Sequence, residues 1–442
     1  MPNIKIALVG GGSYGWGPKV LSNILGNEHL NGCHVALHDT NPEPLDLNFR
    51  LARKYKELAG SDTTFEQTTE QAAAFDGADY VVVTISTGGL QTMRVDLEVP
   101  EKYGIFQTVG DTVGPGGLSR ALRNVPVFLQ MARAMEEHCF NAWILNVSNP
   151  LSALTRVINK ETSIRAIGVC HGVRNVVQRY AQGFGAEFED CAFVNTGIDH
   201  CAWLTELYVG GRSAADLLSE RGVDEWLAKP PAEAEKDEAL GGLYGLRCGL
   251  LLWRQLRVLP AISDRHMVEF LPNFLVGMDN VQKFGLVRTT IADREQNYAS
   301  ARARTERMLA GEDELKLSAG SDNVAGWIAA LDGGPPIEDN LNAPNIGQIP
   351  QLPPGAIVET RGMLDQTGIR PIVSPMPEQI EAIVRPHVLR EELTVEAAVE
   401  GDFDKALTVL TRDPLMPSID AARPMLEEML AANKKWLPQF GK

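Results

Sequence analysis

Over the first 170 residues, short apolar runs alternate with longer amphipathic stretches. The runs at 4–9, 35–38, 80–85, 142–146 and 166–169 are nearly continuous in hydrophobicity, as strands covered on both faces are. Segments 19–25 and 44–59 carry apolar residues at helical spacing. The alternation predicts a parallel sheet wrapped by helices. A Gly-rich stretch at 104–117 is too long and too polar for a plain connection, and long loops in such folds often carry function.

Beyond about residue 197 the pattern shifts to longer helical stretches, such as 293–309 and 377–388, with Pro-rich punctuation at 333–336 and 350–354. The reading is an α/β protein: a Rossmann domain over 1–196, of the lactate/malate dehydrogenase type, and an α+β substrate domain over 197–442. A length of 442 residues suits two lobes better than one core. There is no internal repeat and no low-complexity tract.

The formal net charge of -16 disfavours nucleic acid and anionic membrane as partners, because both are polyanions. The chain enters a strand almost at once, without the features of a signal peptide, and no run approaches membrane-spanning length, so a cytoplasmic location is expected. Six cysteines without a CxxC pair are neither a disulfide framework nor a structural zinc site. A homodimer or homotetramer is expected.

The first strand runs into Gly10-Gly11-Gly12-Ser13-Tyr14-Gly15, which satisfies G-x-G-x-x-G with Gly10, Gly12 and Gly15. Such turns are common by themselves. Here the motif follows a strand, opens a helix, and is followed by Asp39 at the end of the second strand, where an acidic side chain takes the ribose hydroxyls and repels a 2′-phosphate. NAD is therefore expected as cofactor, in preference to NADP. Ligands of open parallel sheets bind at the carboxyl ends of the strands. Ser86, Thr87 and Gly88, and Asn146 after the next strand, join Gly11 and Ser13 as expected NAD contacts. Asn149-Pro150 reads as a turn before a helix, and a malate or lactate dehydrogenase has a similar turn beside its nicotinamide.

Cys170-His171 ends the following strand, and Gly197-Ile198-Asp199-His200 comes shortly after. Either Cys or His alone is more often a packed core residue. Together on the predicted active edge they are candidate ligands for a divalent transition metal. A plain hydroxyacid dehydrogenase would need a His with an Asp-x-x-Arg pair, and no Asp stands at the required place before Arg174. An NAD sensor would need none of Cys170, His200 or Asp264.

With these residues in hand, the chain resembles glycoside hydrolase family 4, the NAD- and manganese-dependent glycosidases, over nearly its whole length. The resemblance rests on the opening Gly-Gly-Gly-Ser, residues 103–117, 146–150, Cys170-His171, 197–200 with Trp203, 342–345, and Val358-Glu359. It is strongest to the bacterial α-galacturonidases, through residues 109–117 and 259–272. The resemblance implies an α-glycosidase acting on a uronic-acid glycoside, galacturonide or glucuronide, by C3 oxidation, C2 deprotonation, loss of the aglycone, water addition and re-reduction. An α-glucosidase or α-galactosidase of the same family is the alternative. It implies Cys170 and His200 as ligands of Mn2+, Asn149 and His171 as sugar contacts, and Asp111, Asp264 and His266 as catalytic groups. Arg265 and Arg94 are the available forked donors for a substrate carboxylate.

Three departures stand out. α-Galacturonidases usually read Cys-His-Glu-Val where this chain has Cys-His-Gly-Val at 170–173. Many members have Asn before the metal histidine, whereas Asp199 stands here and would add a charge or a hydrogen bond behind the ligands. The tyrosine base of the phospho-β-glucosidase branch has no clear counterpart, Tyr244 lying in a poorly matched stretch.

Overall fold

A computed structural model describes residues 4–317 and 323–441. The N-terminal half runs β1 (Lys5–Val9), α1 (Gly17–Leu25), β2 (His34–His38), α2 (Pro42–Ala59), β3 (Thr64–Thr68), α3 (Gln71–Phe75) and β4 (Tyr80–Val83). It continues through α4 (Gly89–Glu101), α5 (Gly114–His138), β5 (Trp143–Asn146), α6 (Leu151–Glu161), β6 (Arg165–Gly168) and α7 (Gly172–Gly183). Strands β1 to β6 are parallel in the order 3-2-1-4-5-6, the Rossmann arrangement expected. Ile6 and Leu8 of β1 pack with Leu21 and Ile24 of α1 on one face. Ala7 and Val9 pack with Leu122 and Val125 of α5 on the other. Coverage of both faces explains why the strand reads as a continuous apolar run.

The sheet does not stop at β6. Strands Ile337–Pro344, Ile357–Asp365 and Gly368–Pro371 from the C-terminal half extend it antiparallel to nine strands. The hairpin β7 (Cys191–Ile198) and β8 (Cys201–Val209) heads a second, four-stranded sheet. Its connection is only Asp199 and His200, so both candidate residues sit at the tip of a tight turn.

Two elements differ from the sequence reading. β3, with the sequence Thr-Phe-Glu-Gln-Thr, is an edge strand whose order comes from pairing with β2 rather than from its own hydrophobicity. The Gly-rich stretch is loop only as far as Val113, because α5 begins at Gly114 with a proline in its first turn. A Cβ at Gly117 would come within 2.4 Å of the Thr112 backbone, and one at Gly116 within 2.8 Å of the Asp96 carbonyl. These glycines serve close packing at a helix start as well as loop freedom. Among the described residues, no helix is long and apolar enough to cross a membrane.

Candidate active site

The turn after β1 is tied to the end of β2. The Gly10 and Gly11 amides both donate to the His38 carbonyl, at 2.9 and 2.8 Å. Gly10 has φ +88, and a Cβ there would lie 2.3 Å from the Thr84 carbonyl oxygen, so only glycine fits. The Gly12 amide donates to Asp39 Oδ2 at 3.0 Å, which holds the carboxylate at the mouth of the turn. Below the loop carrying Ser86, Thr87 and Gly88 lies a buried network: Arg123 grips Asp96 through both carboxylate oxygens and donates to the Thr87 carbonyl, while Asn124 Oδ1 accepts from the Thr87 amide. Ser148 Oγ accepts from the Ile85 amide at 2.8 Å and so links the loops after β4 and β5. Asn146 is fully buried and organises its own turn, accepting from Ser148 N and donating to Leu151 O and Thr155 Oγ1.

At the same sheet edge two triads share His200. Cys170, Asp199 and His200 bring one ligand atom each within 4.8 Å of one another, and so do Asp111, His200 and His266. Cys170 lies just past β6, where the Gly172 amide of the α7 first turn donates to its sulfur at 3.3 Å. Thr112 Oγ1 donates to Asp111 Oδ1 at 2.8 Å and lies 2.7 Å from His200 Nδ1. With its proton given to Asp111, the hydroxyl can only accept from His200, which then carries its proton on Nδ1 and presents Nε2 as the lone-pair nitrogen. The His200 and His266 rings stack at 3.9 Å between centroids. Asn149, joined to Pro150 by a cis peptide, donates to Asp111 Oδ2 at 3.4 Å and accepts from Arg120 Nε through its carbonyl at 2.9 Å.

Charge is divided within this cluster. Burial works against ionisation of Asp111, but the facing His266 and His200 and the guanidinium groups of Arg120 and Arg294 hold its carboxyl well below the usual range. Burial and the neighbouring His200 hold His266 well below the ordinary histidine value, against the pull of the Asp111 carboxylate. Burial, reinforced by Asp199 and Glu359, pushes the Cys170 thiol well up. A bound cation would favour the thiolate.

The model for the family 4 glycosyl hydrolases matches residues 5–185, and the model for the C-terminal domain of the same family matches residues 195–416. The chain belongs to the family 4 glycosyl hydrolases. An α-galacturonidase of Thermoanaerobacterium saccharolyticum is 31% identical over 98% of this chain and 97% of its own. One of Bacillus subtilis is 33% identical over 94% of each chain. A 6-phospho-α-glucosidase from gut microorganisms, solved in complex with NAD and Mn2+, shares the fold with a TM-score of 0.81 at 22% identity, covering 99% of this chain and 100% of its own.

Within this hydrolase the residues singled out from sequence fall into three groups. Cys170, His200, Asp111, His266 and Asn149 converge, with His171 at the start of α7 beside them. Asp264 takes part in neither triad: it is buried, and its oxygens accept from the Cys248 and Gly249 amides at 2.8 and 2.9 Å, at the start of the helix Arg247–Leu256. Arg94 is held by Glu98 and Glu295 on the surface, and Arg265 donates to Thr289 Oγ1. Tyr244 donates its hydroxyl to the Gly285 carbonyl. At Gly172 a Cβ would meet Ile262 Cδ1 at 2.8 Å, so the Cys-His-Gly-Val departure is matched by a neighbour occupying the side-chain space.

Several important residues are given no role by the sequence reading. Glu269 accepts from the Val109 and Gly110 amides at 2.6 and 2.9 Å and from Thr108 Oγ1 at 3.1 Å, pinning the Asp111 loop to the segment bearing His266. Arg120 and Arg294 set the charge of Asp111 from α5 and from the helix Ile291–Ala310. Their roles follow from their placement in space.

Proposed function

We propose that this hydrolase is an NAD- and divalent-metal-dependent α-glycosidase acting on α-linked hexuronic acids, with α-galacturonides as the preferred substrates. The observation that carries the reading is the meeting, at one sheet edge, of a dinucleotide-type turn with a thiol, imidazole and carboxylate cluster. The donor set fits a divalent transition metal. The turn fits a dinucleotide: Asp39 is held at its mouth, and among the described residues no atom beyond the chain neighbours lies within 4 Å of where a Cβ on Gly15 would stand. When bound, NAD+ supplies a hydride acceptor for C3 that is restored in each turnover, and the cation supplies a Lewis acid for the C2 and C3 oxygens.

Cys170 and His200 would hold the cation. Asn149, fixed by Arg120 and Asp111, orients the sugar hydroxyls, with His171 beside it. Asp111, whose carboxyl is held toward its ionised form, and His266, an imidazole whose buried Nδ1 has no partner among the described residues, accept the C2 proton and return a proton to the departing oxygen. Asp264 acts at one remove, by fixing the segment that carries His266. The charges of Arg265 and Arg294 bear on this cluster, since Arg265 acts on both His266 and Arg294, and a hexuronate carboxylate placed there would be paired.

The test is a panel of nitrophenyl α- and β-glycosides, uronides and neutral sugars, assayed with NAD, Mn2+ and a thiol. An unpaired buried charge costs about 2–5 kcal/mol, so kcat/KM for the α-galacturonide should exceed that for the α-galactoside by at least about 30-fold, with no net NADH. Arg265→Ala should narrow the gap. A neutral α-hexoside cleaved as well as both uronides would overturn the substrate assignment, and stoichiometric NADH from a free hydroxyacid would overturn the hydrolase mechanism.

A further inference from the structure

Most buried carboxylates in this molecule are met by donors: Asp96 by the Arg123 fork, Asp264 by two amides, Glu269 by two amides and a hydroxyl. Asp199 differs. It is 1% exposed, and among the described residues its oxygens are met by no backbone amide, hydroxyl or side-chain N–H within hydrogen-bond geometry; the Cys170 thiol, itself a candidate metal ligand, is the group that bonds to it. No Lys or Arg among the described residues lies within 4 Å of it; His200, whose Nδ1 is 3.5 Å away, is already engaged by Thr112. Of its other neighbours, Cys170, Asp111 and Glu359 bring no positive charge, and the imidazoles of His171 and His200 are the groups that favour its charged form. A cavity of ≈ 50 Å³ bordered by Thr112, Pro150, Asp199 and Glu391 has room for a few waters, but water brings no counter-charge. An ionised carboxylate placed this way is costly, and a cation facing it would offset that cost.

We infer that Asp199 is a third protein ligand of the divalent cation, beside Cys170 and His200. The inference rests on the metal reading of the site given above. The Asp199 oxygen, Cys170 sulfur and a His200 nitrogen lie within 4.8 Å of one another. Ligand bonds of roughly 2.0–2.3 Å place two donors on one ion up to about 4.5 Å apart, so closure needs only small movements. The backbone supports the arrangement: His200 has φ +63, a left-handed conformation carrying a cost at a residue other than glycine, and it lets both residues of a two-residue turn serve one centre. Where many family members have a neutral Asn, this chain adds a hard anionic oxygen. Thiolate and carboxylate together neutralise a doubly charged ion, and the oxygen favours Mn2+ over softer metals.

Mn2+ binding to the full-length protein with NAD present, read from the electron paramagnetic resonance of free Mn2+, tests this directly. Asp199→Asn should weaken Mn2+ binding at least about tenfold, as even outer-shell changes at metal sites do, while NAD affinity stays within about twofold. The metal-free variant should unfold no earlier than metal-free wild type, since a buried unpaired charge has been removed, and Mn2+ should stabilise it less. Asp199→Ser, should the Asn variant fold poorly, carries the same expected loss of affinity. Mn2+ affinity within about twofold of wild type, or equal destabilisation with and without metal, would overturn the inference. Cys170→Ser separates the two readings: if it weakens Mn2+ binding and Asp199→Asn does not, only the Asp199 inference falls; if neither does, the metal reading falls with it.

Discussion

Asp264→Ala tests whether a conspicuous acidic residue beside the site works in chemistry or in architecture. In the native protein its two oxygens accept from the Cys248 and Gly249 amides in the first turn of the helix Arg247–Leu256, where the short 3-10 turn Gly241–Leu246 gives way to α-helix and N–H groups lack intrahelical partners. Each buried amide left without an acceptor costs roughly 1–3 kcal/mol, so two cost about 2–6 kcal/mol. Part of this is returned, because burial makes the carboxylate itself unfavourable and pushes its pKa up to about 6. The expected net loss is therefore about 2–4 kcal/mol. Unfolding in urea measures the stability, and turnover at saturating NAD and Mn2+, below the onset of unfolding, measures the chemistry. Asp264→Asn, which keeps one acceptor oxygen, should fall between Ala and wild type in stability. If Asp264 transferred protons instead, both variants would lose about 10²–10⁴-fold in kcat with unchanged unfolding midpoints. That result would refute the anchoring role.

Two further outcomes are expected. A Cβ at Gly12 would stand 2.8 Å from Asp39 Oδ2 and 3.1 Å from Pro44 Cγ, so Gly12→Val should weaken NAD binding at least about tenfold, or ~1.4 kcal/mol; an unchanged dissociation constant by fluorescence titration would remove the turn from the cofactor site. Burial pushes the Glu269 carboxyl from 4.5 up to about 7, against the hydrogen bonds it accepts. The folded state then holds the proton more tightly than the unfolded chain, so this stabilising contribution is complete below pH 4.5 and is lost as pH rises through 7, on the order of 3 kcal/mol in all. Glu269→Gln should flatten that part of the stability profile, and parallel profiles for variant and wild type would contradict it.

The N-terminal fold was legible because its signals are local. β1 and β4 read as apolar runs since each strand is covered on both faces, and Gly10, Gly12 and Asp39 announced themselves because a tight turn against a strand end tolerates few residue types. β3 was not legible: an edge strand with polar alternation takes its order from its neighbour. Nor did anything local in 337–371 indicate that these residues complete the sheet begun at Lys5, since that pairing joins segments far apart in the chain.

At the site, the sequence by itself determined which chemistry was on offer: a dinucleotide turn, a cysteine and a histidine at strand ends, and an acidic residue in place of the common Asn at 199. Which groups would meet was decided only by tertiary structure. Asp264 and Glu269 lie five residues apart, yet one carboxylate holds a helix start and the other holds the Asp111 loop. Asp111 and Asp199 are the same residue type, yet the first lies among imidazoles and guanidinium groups and the second is buried with neither a backbone amide nor a guanidinium to meet it. A carboxylate's charge, partners and cost depend on the dielectric and the donors around it, and those are supplied by segments distant in sequence.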